Sequence, residues 1–184
     1  PVPKKQSLFQ KLLFFIRGNL FIPDMKLFWI KKSADFLKNY LKKNKIDTII
    51  TTGPPHSTHL IGLDLKNTLN INWIADFRDP WVNLNYLNRF HLLSSTKKRH
   101  KKLRDKVLNN ADTIIVTSER LRKLYKKFSA NVFNITNGYN HNKYKIELDE
   151  KFSISHIGSL YDERNPSFLW DVIEEMYEYN DNFK

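Results

Sequence analysis

Apolar residues along this chain follow two periods that alternate with each other. "SLFQKLLFFIRGN", residues 7–19, has a wide apolar face at helical spacing. In "IPDMKLFWIKKSADFLKNYLKKNK", residues 22–45, a Pro-Asp start signal precedes Ile30, Ala34, Leu37 and Leu41 at the same spacing. The short β-branched runs "DTIIT", "NWIADF", "DTIIVT" and "VFNIT" predict strands at about 47–51, 72–77, 112–117 and 132–136. Between them lie helical patterns over roughly 57–69, 92–110 and 118–128. Strands that alternate with helices predict βαβ units and one parallel sheet flanked by helices, a Rossmann-like α/β fold. After the loop "NGYNHNKYKIELDE", a further strand at 152–157 and the helix "PSFLWDVIEEMYEY" read as the start of a second α/β domain.

Charge supports that division. Residues 1–45 carry eleven Lys/Arg against Asp24 and Asp35, a balance of +9. Residues 46–146 carry seventeen against seven, or +10, and residues 147–184 carry three against ten, or −7. The change of sign predicts one domain over 1–146 and another beginning at 147–184. The basic part should attract phosphates of a lipid, a nucleotide or a nucleic acid. There are no cysteines, which excludes disulfides, thiolate zinc sites and a cysteine nucleophile. No apolar run approaches the roughly 18 residues that cross a bilayer. His56 and His59 are three apart without a third ligand at useful spacing, so no metal is expected.

Two stretches concentrate candidate chemistry. "TTGPPHSTHL", residues 51–60, stops a strand at Gly53, Pro54, Pro55 and His56 before a helix begins. Pro55 at the first helical position or Ser57 as cap would leave free N–H groups at the helix start, which favour an anion or a hydroxyl-rich ligand. His56 would face the same crevice, or serve as a turn histidine beside a capped helix. "WIADFRDPW", residues 73–81, ends a strand in Asp76, Arg78 and Asp79, followed by Trp81. Carboxylates and a guanidinium beside a flat aromatic platform suit a sugar; the structural alternative is an Asp–Arg pair closing a turn. Ser118 reads as a helix cap whose strand-end position also faces the cleft. "TKKRHKKLRDK", residues 96–106, reads as a solvated helix face.

In their order, "IITTGPPHSTHLIGLDLK", "INWIADFRDPW", "ADTIIVTSERL", "VFNITNGYN" and "FSISHIGSLYDERNP" resemble the middle of a bacterial family-4-like glycosyltransferase of the GT-B fold. The likeness runs from about residue 7 to the end. It implies the back half of an acceptor-binding domain plus the first strand–helix unit of a donor-binding domain, hence a fragment that is inactive alone. It also implies a retaining transfer from a nucleotide-sugar donor to a glycan or lipid-linked acceptor, in cell-surface polysaccharide synthesis. The donor is a substrate, and no cofactor is implied. Arg78 and Asp79 stand where many relatives carry an active-site histidine, as in a subset of the family, and are the implied catalytic pair. Gly53, Pro54, Pro55, His56, Ser57, Asp76, Trp81 and Ser118 would line the substrate side. Asn137 and Gly138 match the turn entering the interdomain linker. Gly158, Ser159 and Arg164 match the donor-diphosphate loop, with Ser159 where relatives have a basic residue.

Two readings from other classes compete. One is a non-catalytic sugar-binding or assembly subunit. The other is a basic nucleic-acid module, against which stands the lack of a recognisable reader motif. The aromatic and basic helices before residue 45 could lie on an anionic membrane, or Phe14, Phe15, Phe28 and Trp29 could be core. The expected compartment is the cytoplasm, with peripheral contact at the inner face of the plasma membrane.

Overall fold

The computed structural model of the chain describes residues 7–82, 90–138, 149–150, 153–158, 160 and 165–179. The chain divides into two units, Pro1–Tyr139 and Asn140–Lys184.

The first unit opens with helix α1 (Leu8–Leu20), started by a capping box. Ser7 Oγ accepts from Gln10 N at 3.2 Å, and Gln10 Oε1 accepts from Ser7 N at 3.0 Å. Helix α2 spans Trp29–Lys43. It begins later than the Pro23-Asp24 signal predicts. Asp24 instead closes a turn, Oδ1 accepting from Lys26 N at 2.9 Å, and spends its other oxygen elsewhere. Then follow β1 (Thr48–Gly53), α3 (Ser57–Leu69), β2 (Asn72–Phe77), α4 (Ser94–Asn110), β3 (Thr113–Val116), α5 (Glu119–Tyr125) and β4 (Val132–Asn134).

The four strands form one parallel sheet in the order β1-β2-β3-β4. In this register Ile49, Thr51 and Gly53 share a face with Trp73, Ala75, Phe77, Ile114, Val116 and Val132. That face is the buried one. Leu63 of α3, Val107 and Leu108 of α4, and Leu121 and Tyr125 of α5 all pack into the same cluster. A chain that always steps to the next strand in one direction keeps its crossover helices on one side. Helix α2 lies on α3 through Ala34, Ile61 and Leu65. The opposite face carries Ile50, Ile74, Asp76, Ile115 and Phe133. No described helix buries apolar side chains against it, and Ile50 stays 64% exposed.

In the second unit, helix α6 spans Ser167–Tyr179, and Trp170 Nε1 donates to Asn165 Oδ1 at 2.6 Å. The strand expected at 152–157 does not appear at its described residues, 153–157, which have no regular secondary structure. A strand needs a neighbour for its ladder, and no strand is present among the described residues of this unit.

Candidate functional site

The β1 and β2 loops lie side by side at the carboxyl end of the sheet, because Gly53 and Phe77 are register partners. Parallel α/β sheets hold their ligands at this edge. The backbone locks the two loops together: Arg78 N donates to Gly53 O at 3.1 Å. From the third loop, Thr117 Oγ1 donates to Arg78 O at 2.9 Å. The peptide units around Arg78 are therefore held from both sides, while its side chain stays exposed. Its only polar contact among the described residues is a long one, Nη2 to Pro54 O at 3.5 Å. No described carboxylate pairs with it, so the Asp–Arg pair weighed above is not formed. Asp79 is exposed and Asp76 half-buried, in a row with Thr52 and Ile115 on the helix-free face.

Beneath these loops the structure departs from the sequence reading. His56 does not face a crevice. It is buried and stacks on Trp81, ring centroids 4.7 Å apart and 4° from coplanar. Trp81 is 2% exposed, so it offers no platform to a sugar; its rings close the core. His59 stacks on Phe77 at 4.3 Å. Thr51 Oγ1 accepts from Trp73 Nε1 at 2.8 Å and meets His59 Nδ1 at 2.9 Å. Trp81 Nε1 lies 3.3 Å from His100 Nδ1. An indole N–H can only donate, so His100 Nδ1 accepts and the ring proton sits on Nε2.

Gly53 is required by this packing. A Cβ there would stand 2.5 Å from His59 Nε2 and 3.1 Å from His56 Nδ1. Ser57 is buried at the start of α3 and caps nothing with its side chain. The anion expected at this helix start is supplied by the chain itself, since Asp24 Oδ2 accepts from Ser57 N at 2.8 Å. Pro54 is exposed and Pro55 half-buried, and neither begins the helix. Ser118 acts as the cap of α5, its Oγ accepting from Leu121 N at 3.3 Å. Asn137 and Gly138 are exposed beyond β4. In the second unit Gly158 is exposed with φ +135°, a left-handed-side conformation that suits glycine. Ser159 and Arg164 lie outside the described residues.

Sequence reasoning missed Asp24, Thr117 and His100. Asp24 reads locally as a helix start, and its second oxygen acts 33 residues away. Thr117 carried a usable signal, a polar residue just past an apolar strand.

Burial sets the electrostatics. It pushes the His56 imidazole down to about 4, against the pull of the Asp24 carboxylate. It pushes His59 down to about 3, with His56 adding to the effect, and lowers His100 as well. All three rings are neutral at pH 7 and are poor proton acceptors for chemistry. In the unfolded chain each titrates near its ordinary value of 6.5. As pH falls below 6.5 the unfolded state takes up protons that the folded state refuses, so stability is lost downward from 6.5 toward 4. At about 1.4 kcal/mol per pH unit per group below 6.5, His56 and His59 should together cost about 4 kcal/mol between pH 7 and pH 5. Urea unfolding at the two pH values checks this, and a His59→Gln variant should lose about half of the drop. A stability unchanged between the two values would mean the rings are charged or solvated when folded.

Among the described residues no three His, Cys, Asp or Glu side chains are grouped to hold a metal, and no helix is long and apolar enough to cross a membrane. No protein-family model matches the chain, and neither a curated protein nor a solved structure matches it. The α/β architecture with its parallel sheet therefore rests on the chain's own geometry.

Proposed function

We propose that this chain is part of a glycosyltransferase of the GT-B type. It would move a sugar, with retention, from a nucleotide-sugar to a glycan or lipid-linked acceptor. The observation that carries this reading is Arg78. An exposed guanidinium on a backbone fixed at the carboxyl end of a central parallel strand, without a carboxylate partner among the described residues, is a ready ligand for phosphate or sugar hydroxyls. Asp79 stands next to it, placed to orient an acceptor hydroxyl. In the reaction the bond between the sugar's anomeric carbon and the donor phosphate breaks, and the nucleoside diphosphate departs with that electron pair. A new bond forms to the acceptor oxygen, whose proton is released. His56 has no part in proton transfer, since it is neutral and buried under Trp81. The order of the sequence motifs supports the same reading, and the donor loop at Gly158, Ser159 and Arg164 remains part of the proposal.

The test is acceptor-dependent release of nucleoside diphosphate from a panel of nucleotide-sugars, using the protein that carries this chain. Release with an acceptor and none without it supports transfer. Tight sugar binding without release would favour the non-catalytic subunit.

A further inference from the structure

Helix α1 has no buried residue. Three of its residues fasten it to the segment at 90–96. Phe14 meets Phe90 edge-on at 5.5 Å, Gly18 packs against Phe90 and Leu92, and Asn19 Oδ1 accepts from Leu93 N and Thr96 Oγ1 at 2.9 and 2.8 Å. At about 100° per residue, Leu8, Phe9, Leu12, Leu13, Ile16 and Leu20 fall within an arc of about 140° that faces away from Phe14 and Gly18, and Asn19 joins that arc only at the last turn. All six are exposed, Leu8 to 85%. Lys11 borders this arc on one flank and Arg17 on the other, and residues 8–20 contain no acid. Such a helix, apolar on one face with cations at the borders, matches a helix that lies in a membrane interface.

A second feature adjoins it. The Asn19 bonds set the end of α1 on the start of α4. The outward face of α4 carries Lys97, Lys98, Arg99, Lys101, Lys102 and Lys106, all exposed. None forms an ion pair with a described residue. The single acid of α4, Asp105, is held by its neighbour Arg104 at 2.5 Å, so it does not neutralise the row.

We infer that α1 embeds its apolar arc in the interfacial layer of an anionic bilayer, with the cations of α4 holding the headgroups. Charge decides against the other occupants. A second copy facing this arc would set Lys11 and Arg17 against like charges. A nucleic acid would satisfy α4 and leave the apolar arc of α1 unused. The inference is independent of the sugar-transfer reading.

Co-sedimentation with vesicles of phosphatidylcholine alone, and with about a third phosphatidylglycerol, tests it. Binding should require the anionic lipid and fall with salt, as expected of charges near a membrane surface. Lys98→Gln with Lys101→Gln and Lys102→Gln should weaken it at least about tenfold. Leu12→Ser with Ile16→Ser should weaken it similarly while the circular dichroism and unfolding midpoint stay unchanged, since both side chains are exposed. A Phe9→Trp variant should shift its emission to the blue on anionic vesicles only. Equal binding to neutral and anionic vesicles overturns the inference. So does an absence of binding at low salt, concentration-dependent dimerisation lost in the serine variant, or binding of nucleic acid alone.

Discussion

Replacing Arg78 by alanine should lower turnover about 10²-fold or more while leaving the unfolding free energy within about 0.5 kcal/mol of the parent. The two halves of this expectation come from the same geometry. The side chain is exposed and makes one long contact to Pro54 O, so little stability is at stake. The backbone bonds to Gly53 and Thr117 that hold the loop do not involve the guanidinium. On the proposed reading, loss of a charge-assisted contact to the transferring group would by contrast fall on the transition state. Arg78→Lys should recover only part of the activity, because an ammonium lacks the planar fork. Asp79→Asn should also act on turnover and not on folding. Acceptor-dependent nucleoside diphosphate release and a urea melt on the same preparations check both halves. Unfolding of the alanine variant, with normal activity per folded molecule, would make Arg78 structural.

Gly62→Ala should destabilise the protein by about 2 kcal/mol, against its local tendency. In the middle of α3 alanine is favoured over glycine by about 1 kcal/mol. Here, however, the new Cβ would stand 2.5 Å from Trp73 Nε1, 2.6 Å from Cε2 and 2.7 Å from Thr51 Cγ2. Trp73 is fully buried and tied to Thr51 Oγ1, so neither neighbour can withdraw freely. Overpacking of a tight core costs about 1–3 kcal/mol, more where the overlap is deep, and outweighs the gain in propensity. The midpoint of thermal or urea unfolding reads the result. A stabilised Gly62→Ala variant would mean that α3 sits farther from the sheet than described.

The sheet was legible because its strands are short β-branched runs set between helical periods, and because consecutive strands tend to be neighbours. That rule also brought Gly53 and Arg78 together. Side-chain burial was not legible in the same way. Trp81 follows a proline at the end of a strand and reads as a flat platform open to a sugar, yet His56, 25 positions earlier, covers its face. Asp24 shows why: a proline–aspartate pair signals a helix start, but a carboxylate within reach of another helix's first N–H is better used there. The described part of the strand expected at 152–157 lacks strand structure for a related reason, since pairing depends on a partner strand that local pattern does not report.

On the proposed reading, the β1, β2 and β3 loops form one ligand-binding edge around Arg78. Nitrogen–proton correlation spectra of the chain, titrated with nucleotide-sugars and with a polyprenyl-phosphate headgroup analogue, test it most directly. Shifts are expected to concentrate at the amides of Gly53, Arg78, Asp79, Thr117 and Ser118, and to be absent in Arg78→Ala. Shifts confined to α4, or no shift with any of these probes, would contradict it.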